Sequence, residues 1–273
     1  MKSISLCWKD GKTGALTTSW DDGGIADRQL ITILNKHGLK GTWNLCSGRL
    51  GTEQGHSGWD NVIGPEEVRQ LYSGHEVACH SVTHPSLVMM PDSIIFSEVI
   101  EDRRRLENLT GYPVKGMAVP FGSSDPRVMA VLRQCGILYV RGVAPKRDFQ
   151  LPVDFLNWQP TCHFKDHLER TWDEFVRIKF EAPKLFYLWG HSWEFDTDQN
   201  WDSIEKFSAI AGIDDEIWHA TNYQIYEYVT AWHNLVTTIE KTVLYNPSSV
   251  KLWFFMDGAL NCIEPGQLVQ LGR

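Results

Sequence analysis

The 273-residue chain has no run of 18 consecutive apolar residues, so it carries no transmembrane-helix signal. It has no excess of positive charge: 26 Lys and Arg stand against 34 Asp and Glu, a formal net charge of −8. Without a basic stripe, nucleic acid and anionic membrane surfaces are poor partners. Six cysteines (Cys7, Cys46, Cys79, Cys135, Cys162, Cys262) form no CxxC pair and no tight framework, and most sit beside apolar residues, as reduced core thiols do. Residues 1–14 lack the apolar core and small-residue cleavage site of a signal peptide, so the expected location is cytoplasmic. No phosphate-binding loop, GxGxxG, internal repeat or low-complexity tract is present. What is present is a composition ordinary for a globular protein, 42% hydrophobic and 22% charged, with ten His and 12 Trp as the unusual counts.

Short apolar runs alternate with helical patterns along most of the chain. Strands are predicted at Ala15–Trp20, Gly41–Cys46, Glu76–Ser81, Lys115–Pro120, Leu138–Arg141 and Lys184–Ser192, with a weaker one near Asn157–His163. Helices are predicted at Ile25–His37, Pro65–Tyr72, Ser93–Leu109, Pro126–Cys135 and His167–Phe180. This alternation implies an α/β fold, a parallel sheet covered by helices, and about seven units fit a barrel. The last 70 or so residues change character. Helices at Ser203–Ala211 and Asn222–Leu235 precede strands at Thr237–Leu244, Lys251–Met256 and Ala259–Ile263, with turns at Asn246-Pro247 and Asp257-Gly258. The expected organisation is one domain over 1–273, a barrel core at 15–195 and a small helical and antiparallel extension at 196–273 packed on it.

Three clusters fall at the C-terminal ends of predicted strands, where parallel α/β folds build their sites. Asp21-Asp22 closes the first strand before Gly23-Gly24, and adjacent carboxylates there repel unless a cation or proton intervenes. The alternative is an Asp-rich turn. His80 and His84, four residues apart, can chelate one divalent ion, and with one carboxylate they make a His₂-carboxylate set with open positions. Read alone, they are a pair of satisfied surface histidines. His191 ends the apolar strand Phe186–Gly190 and, as a third group in that layer, is a proton-donor candidate. His163 is a further rim candidate, with a core or surface placement the plainer reading.

These residues resemble the polysaccharide deacetylases of the NodB-homology type, carbohydrate esterase family 4. The family motif TFDDG is similar to Thr18 to Gly23, HxxxH matches His80 and His84, and the late strand ending in His matches Leu188 to His191. The resemblance covers roughly 15–195 and implies a distorted (β/α) barrel. It implies Asp22, His80 and His84 as ligands of a divalent metal ion, zinc by preference, Asp21 as general base and His191 as the acid that protonates the leaving amine.

The chain departs from the family at two motifs. Where Arg-x-Pro-aromatic is usual, the sequence reads Ala118-Val119-Pro120-Phe121, so the Arg is absent while Pro120 and Phe121 remain, with a backbone N–H near Phe121 as an oxyanion donor. Arg141 at the end of the next strand is the replacement candidate for orienting Asp21, against a surface salt bridge. The acidic motif before a Trp is echoed only by Asp154 and Asn157-Trp158, which leaves the partner of His191 unnamed. Trp193, Glu194 and Asn222, with Trp201, are expected to line a ligand cleft. The expected activity is metal-dependent removal of N-acetyl groups from a small carbohydrate or glycan. A different amide, an O-acetyl ester, or a carbohydrate-binding protein without turnover stand as alternatives, and the oligomeric state is left open.

Overall fold

The computed structural model describes residues 3–53, 60–178 and 183–271. After a short strand β1 (Ile4–Cys7) the chain runs β2 (Gly14–Asp21), α1 (Asp27–Lys36), β3 (Gly41–Leu45), α2 (Val68–Leu71), β4 (Glu76–Cys79), α3 (Asp92–Thr110), β5 (Gly116–Ala118), α4 (Pro126–Gln134), β6 (Tyr139–Arg141), β7 (Cys162–His163), α5 (Leu168–Arg177) and β8 (Lys184–His191). Strands β2 to β8 pair in parallel in the order β6-β5-β4-β3-β2-β8-β7. The gap between the two edges is spanned by Trp158, which bridges Arg141 and exchanges 3.0 Å backbone hydrogen bonds with Val140 and Gly142. The weak strand expected at Asn157–His163 is thus a bridge followed by the two-residue β7, and with it the sheet forms the deformed (β/α)₇ barrel.

Local chemistry sets the helix ends. Asp125 caps α4, accepting the Val128 N–H at 2.8 Å, with Pro126 in the first turn, and Gly111, at φ 82°, ends α3 in the left-handed conformation. The helix expected at His167–Phe180 ends at Arg177, and Phe180 lies outside the described residues.

The strands are not continuously apolar. Leu16 and Trp20 on β2, Trp43 and Leu45 on β3, Val77 and Cys79 on β4, and Phe186 and Leu188 on β8 join the core beneath the helices. The alternate positions (Thr17, Ser19 and Asp21; Thr42 and Asn44; Glu76; Arg141) are buried polar groups bonded to one another inside the barrel. Period-two side-chain alternation therefore separates an apolar outer face from a polar interior.

Helices α6 (Trp193–Asp198) and α7 (Trp201–Gly212) follow, then β9 (Ile217–His219), which pairs with β2, and α8 (Asn222–His233). Of these, α6 and β9 were not anticipated, nor was β1. The predicted strand Thr237–Leu244 divides into β10 (Val236–Thr237) and β11 (Val243–Tyr245), because Lys241 turns at φ 52° and Thr238 Oγ1 accepts the Thr242 N–H at 3.0 Å. Strands β12 (Leu252–Met256) and β13 (Ala259–Ile263) form the expected hairpin, with Asp257 and Gly258 both at positive φ, and β14 (Leu268–Gln270) pairs with β11. β1 adds to β12, and Trp8, Tyr228 and Phe254 pack this extension against the lower end of the barrel. Among the described residues, no helix is long and apolar enough to cross a membrane.

Candidate active site

Asp21 is the last residue of β2 and stands in register with Asn44 on β3 and His191 on β8. Successive strand residues point to opposite faces, so Asp22 would leave the barrel if β2 continued. Its own backbone prevents this: Asp22 is left-handed at φ 80°, ahead of Gly23 at φ 72°, and both carboxylates enter one space. Ser81, His84 and Phe121 share the left-handed conformation around the same site, at φ 64°, 60° and 58°. Such residues cost about 1–3 kcal/mol each and persist where the surroundings over-determine them.

The Asp22, His80 and His84 side chains converge. Asp22 Oδ1 lies 3.6 Å from His80 Nε2 and 3.9 Å from His84 Nε2, and the two ring nitrogens are 3.1 Å apart. His80 Nδ1 is 2.8 Å from the Ala118 carbonyl, which only accepts, so Nδ1 carries the proton and Nε2 turns a lone pair inward. Trp193 donates its indole N–H to Asp22 Oδ2 at 3.1 Å, while Asp22 Oδ1 is buried with no hydrogen-bond partner. Buried unpartnered acceptors are unfavourable, and ligands of a tetrahedral ion at ~2.0–2.1 Å stand roughly 3.3–3.5 Å apart. This donor set fits a divalent cation. The loop carrying His80 is anchored by Asp102, buried on α3, which accepts the N–H groups of Ser47 at 2.9 Å and His80 at 3.0 Å.

Asp21 is held by two donors: Asn44 Nδ2 reaches its Oδ1 at 2.8 Å, and Arg141 Nη2 its Oδ2. Arg141 is fully buried, lies under the Trp189 ring at 4.4 Å, and donates to the Gly142 carbonyl at 3.1 Å. In the β5–β6 ladder it stands directly beside Ala118. Burial pushes the Asp21 carboxyl up, but Arg141, His80 and His191 outweigh it and hold the group below the usual carboxylate range. Asp22 goes the other way, its carboxyl raised by burial despite His80 and His191. Burial, reinforced by His80, lowers His84 to about 3, so its ring is neutral at ordinary pH.

His191 Nε2 stands 3.8 Å from Asp22 Oδ2 and 4.0 Å from Asp21 Oδ2. Its Nδ1 donates to Glu194 Oε2 at 2.9 Å. Burial lowers this imidazole, but Glu194 with Asp21 and Asp22 raises it overall. Glu194 is itself held well below the usual range, its burial outweighed by hydrogen bonds from His163, His191 and Lys165.

The structure therefore brings Asp21, Asp22, His80, His84, His191, Arg141 and Trp193 together. Phe121 stands at the rim, 65% exposed, its ring 4.6 Å from His84, on the short turn that begins at Pro120. Three expectations are corrected. Glu194 does not line a cleft wall: it is the partner of His191, while Trp158 of the echoed acidic motif packs on Tyr139 and Tyr187. Asn222 is fully buried at the other end of the barrel, bonded to Thr17 and Tyr187, four residues or roughly 13 Å below Asp21 and His191 on their strands. Trp201 bonds Asp196 and packs on Phe195, away from the centre. Asn44 and Asp102 were missed; alternation from Asp21 and the register of β3 could have pointed to Asn44, but nothing local marks Asp102.

Fold and geometry together define a NodB-type deformed (β/α)₇ barrel with a carboxylate–histidine centre at its strand C-termini. A family model described as polysaccharide deacetylase matches residues 4–140, half of the 273 residues, and the chain belongs to that family. It is 24% identical over 128 residues to the peptidoglycan-N-acetylglucosamine deacetylase PgdA of Listeria monocytogenes, a match that takes in 46% of this chain and 23% of that protein. A solved Mycobacterium smegmatis protein, proposed to be a polysaccharide deacetylase, superposes with a TM-score of 0.61 at 19% identity, covering 85% of this chain and 95% of that one. The Xyl-CE4 domain of a multidomain xylanase from the hindgut metagenome of Trinervitermes trinervoides gives 0.53 at 15% identity, covering 81% and 92%. At these identities both structures speak to the fold alone.

Proposed function

We propose that this protein is a divalent-metal-dependent deacetylase that hydrolyses the N-acetyl amide of an N-acetylated sugar or glycan. The observation that carries the reading is the convergence of Asp22 Oδ1, His80 Nε2 and His84 Nε2 beside a separately buffered pair, Asp21 and His191. A divalent ion held by Asp22, His80 and His84, zinc by the character of two imidazoles and one carboxylate, supplies Lewis-acid polarisation of the acyl oxygen and acidifies a water. Asp21, kept ionised by Arg141, accepts the proton of the attacking water. His191, with Nδ1 committed to Glu194, carries its exchangeable proton at Nε2 and delivers it to the leaving nitrogen as the C–N bond breaks. Water thus adds to the acyl carbon, and acetate and a free amine result. Phe121 and Trp193 flank the centre with aromatic surface suited to a sugar ring.

The test pairs metal content with turnover. Protein purified without added metal or chelator is expected to carry about one transition metal per chain and to release acetate from N-acetylglucosamine oligomers, with His80→Ala losing both together. Release from O-acetylated sugars alone would move the assignment to an esterase. Metal-free protein that takes up no zinc would sink it.

A further inference from the structure

For the reaction proposed above, on which this inference rests, the structure assigns a positioning role to His163: it fixes Glu194, and through Glu194 the ring of His191. His163 ends β7 in register with Trp189 on β8, and Glu194 lies in the first turn of α6, so the contact ties the barrel's short edge strand to the helix that follows His191. The Lys165 backbone N–H donates to His163 Nδ1 at 3.2 Å. A nitrogen that accepts carries no proton, so the hydrogen of the neutral ring is on Nε2, which lies 3.1 Å from Glu194 Oε2 and donates to it. That oxygen also accepts from His191 Nδ1 at 2.9 Å and the His191 backbone N–H at 3.2 Å. The other oxygen, Oε1, receives the Lys165 ammonium at 2.9 Å, and Lys165 is tethered in turn to Asp198 at 2.6 Å.

The carboxylate is therefore gripped from both oxygens and cannot rotate without breaking several charge-assisted bonds. This keeps a hydrogen on His191 Nδ1 and leaves Nε2, the nitrogen that delivers the proton, facing Asp21 and Asp22. The His163 ring is itself set edge-on to Trp189, 4.7 Å between centroids, and the Phe164 ring lies at the same centroid distance.

His163, His191 and Glu194 also have donor atoms within 4.8 Å of one another, the spacing of a cation site. The hydrogen-bond reading wins on three counts. His163 Nε2 and His191 Nδ1 both point hydrogens, not lone pairs, at Glu194. An ammonium group already neutralises the carboxylate. And the shared oxygen is saturated, unlike Asp22 Oδ1, which is buried and unpartnered.

The experiment reads tautomers first, because they do not depend on turnover. Long-range ¹H–¹⁵N spectra of the imidazoles, assigned with His163→Gln, should show His163 as a neutral Nε2–H ring and His191 with a hydrogen on Nδ1. His163 as the Nδ1–H form, or averaging between forms, overturns the proposal. In kinetics, His163→Leu should lower kcat about 10-fold with KM unchanged, a fraction of the ~10²–10⁴ that a general acid supplies. His163→Gln should recover most of the loss, since an amide N–H reaches Glu194 and its oxygen accepts from Lys165. An unaltered kcat in His163→Leu, or an equal loss in both variants, overturns it. So does a second bound zinc per chain that disappears in His163→Leu. If the wild-type protein releases no acetate, the function proposed above fails, and the tautomer pattern alone decides this inference.

Discussion

The barrel interior is polar at both ends, yet the two ends are built on opposite rules. At the lower end Glu76 accepts from Tyr139 at 2.6 Å, from Thr42 at 2.9 Å and from the Tyr223 N–H at 2.8 Å. Asn222 accepts from Thr17 and donates to Tyr187, while its N–H reaches Thr42. Every one of these side chains has its partner within the protein. At the upper end Asp22 Oδ1, Asn44 Oδ1, Arg141 Nε and Trp189 Nε1 are buried without one, among the described residues. Burial of polar groups thus does not separate the two ends; the convergence of unpartnered atoms does, since single ones also occur elsewhere, at Trp43 Nε1, Arg103 Nε and Ser208 Oγ among them. A satisfied network holds a fold together, whereas converging unsatisfied donors and acceptors hold something that comes and goes.

Substitutions at the two ends should separate along that line. The largest effect belongs to Asp21→Asn. The side chain keeps its shape and can still accept from Arg141, but it no longer takes a proton. Turnover is expected to fall roughly 10²–10⁴-fold while metal content stays at the wild-type level. Near-normal rates would mean that another group is the base.

Next in size is a pH effect on stability from a group beside the upper end. Asp27 is fully buried, accepts hydroxyl hydrogens from Tyr72 and Ser192, and so ties the β2–α1 loop to the residue after His191. Burial raises its carboxyl from 3.8 to about 7. A carboxyl whose folded value lies above its unfolded one contributes stability that is complete below pH ~4 and is lost as pH rises through ~7. At 1.36 kcal/mol per unit the swing is roughly 4 kcal/mol. Asp27→Asn removes the titration, so wild type minus variant in urea unfolding, at constant metal, should shrink by about that amount between pH 4 and 8. A pH-independent difference would show that Asp27 is not raised.

How much of this was open to reading from residues alone follows the same division. Asp21-Asp22, His80, His84 and His191 stood out because each motif is short and ends a strand, so local sequence carries the information. The barrel followed from strand–helix alternation. Glu194 was visible only as one more polar residue after His191, since its pairing with His163 depends on a contact across β7 and β8. Asn222 was placed in the wrong end because a polar residue at a helix start looks alike in a cleft and in a plug. What separates them is the register of Thr17 and Tyr187, set by tertiary packing. The two-residue β7 and the three-residue β9 are too short for any periodicity, and β1 has meaning only through β12, some 250 residues away.

Glu76→Gln sharpens the comparison from the lower end. A glutamine NH₂ beside Oε2 would face the Tyr223 N–H, which cannot reverse, and beside Oε1 it makes the Tyr139 hydroxyl turn to accept, so that the hydroxyl hydrogen loses Glu76. The expected loss is about 2 kcal/mol of unfolding free energy, within the ~1–3 kcal/mol of an unmade buried hydrogen bond, with kcat and KM unaltered. A drop in kcat at preserved fold would show that the two ends are coupled, and the division drawn here would not hold.

The smallest effect tests whether geometry or charge is what Asp21 needs from Arg141. The guanidinium reaches Asp21 with one nitrogen and the Gly142 carbonyl with another, while its plane lies on Trp189. Lysine at 141 keeps the positive charge but presents a point donor on a flexible stem, so it cannot hold both oxygens and the ring at once. If charge alone keeps Asp21 ionised, Arg141→Lys should be nearly silent. If the fork also fixes where the Asp21 lone pair points, kcat should fall about 10-fold, roughly 1.4 kcal/mol, with KM and bound metal unaltered. The second outcome is expected, because Asn44 fixes only Oδ1 and the other oxygen has Arg141 as its sole hydrogen-bond donor among the described residues. Ala118, directly beside Arg141 in the ladder, is too small to take over that contact.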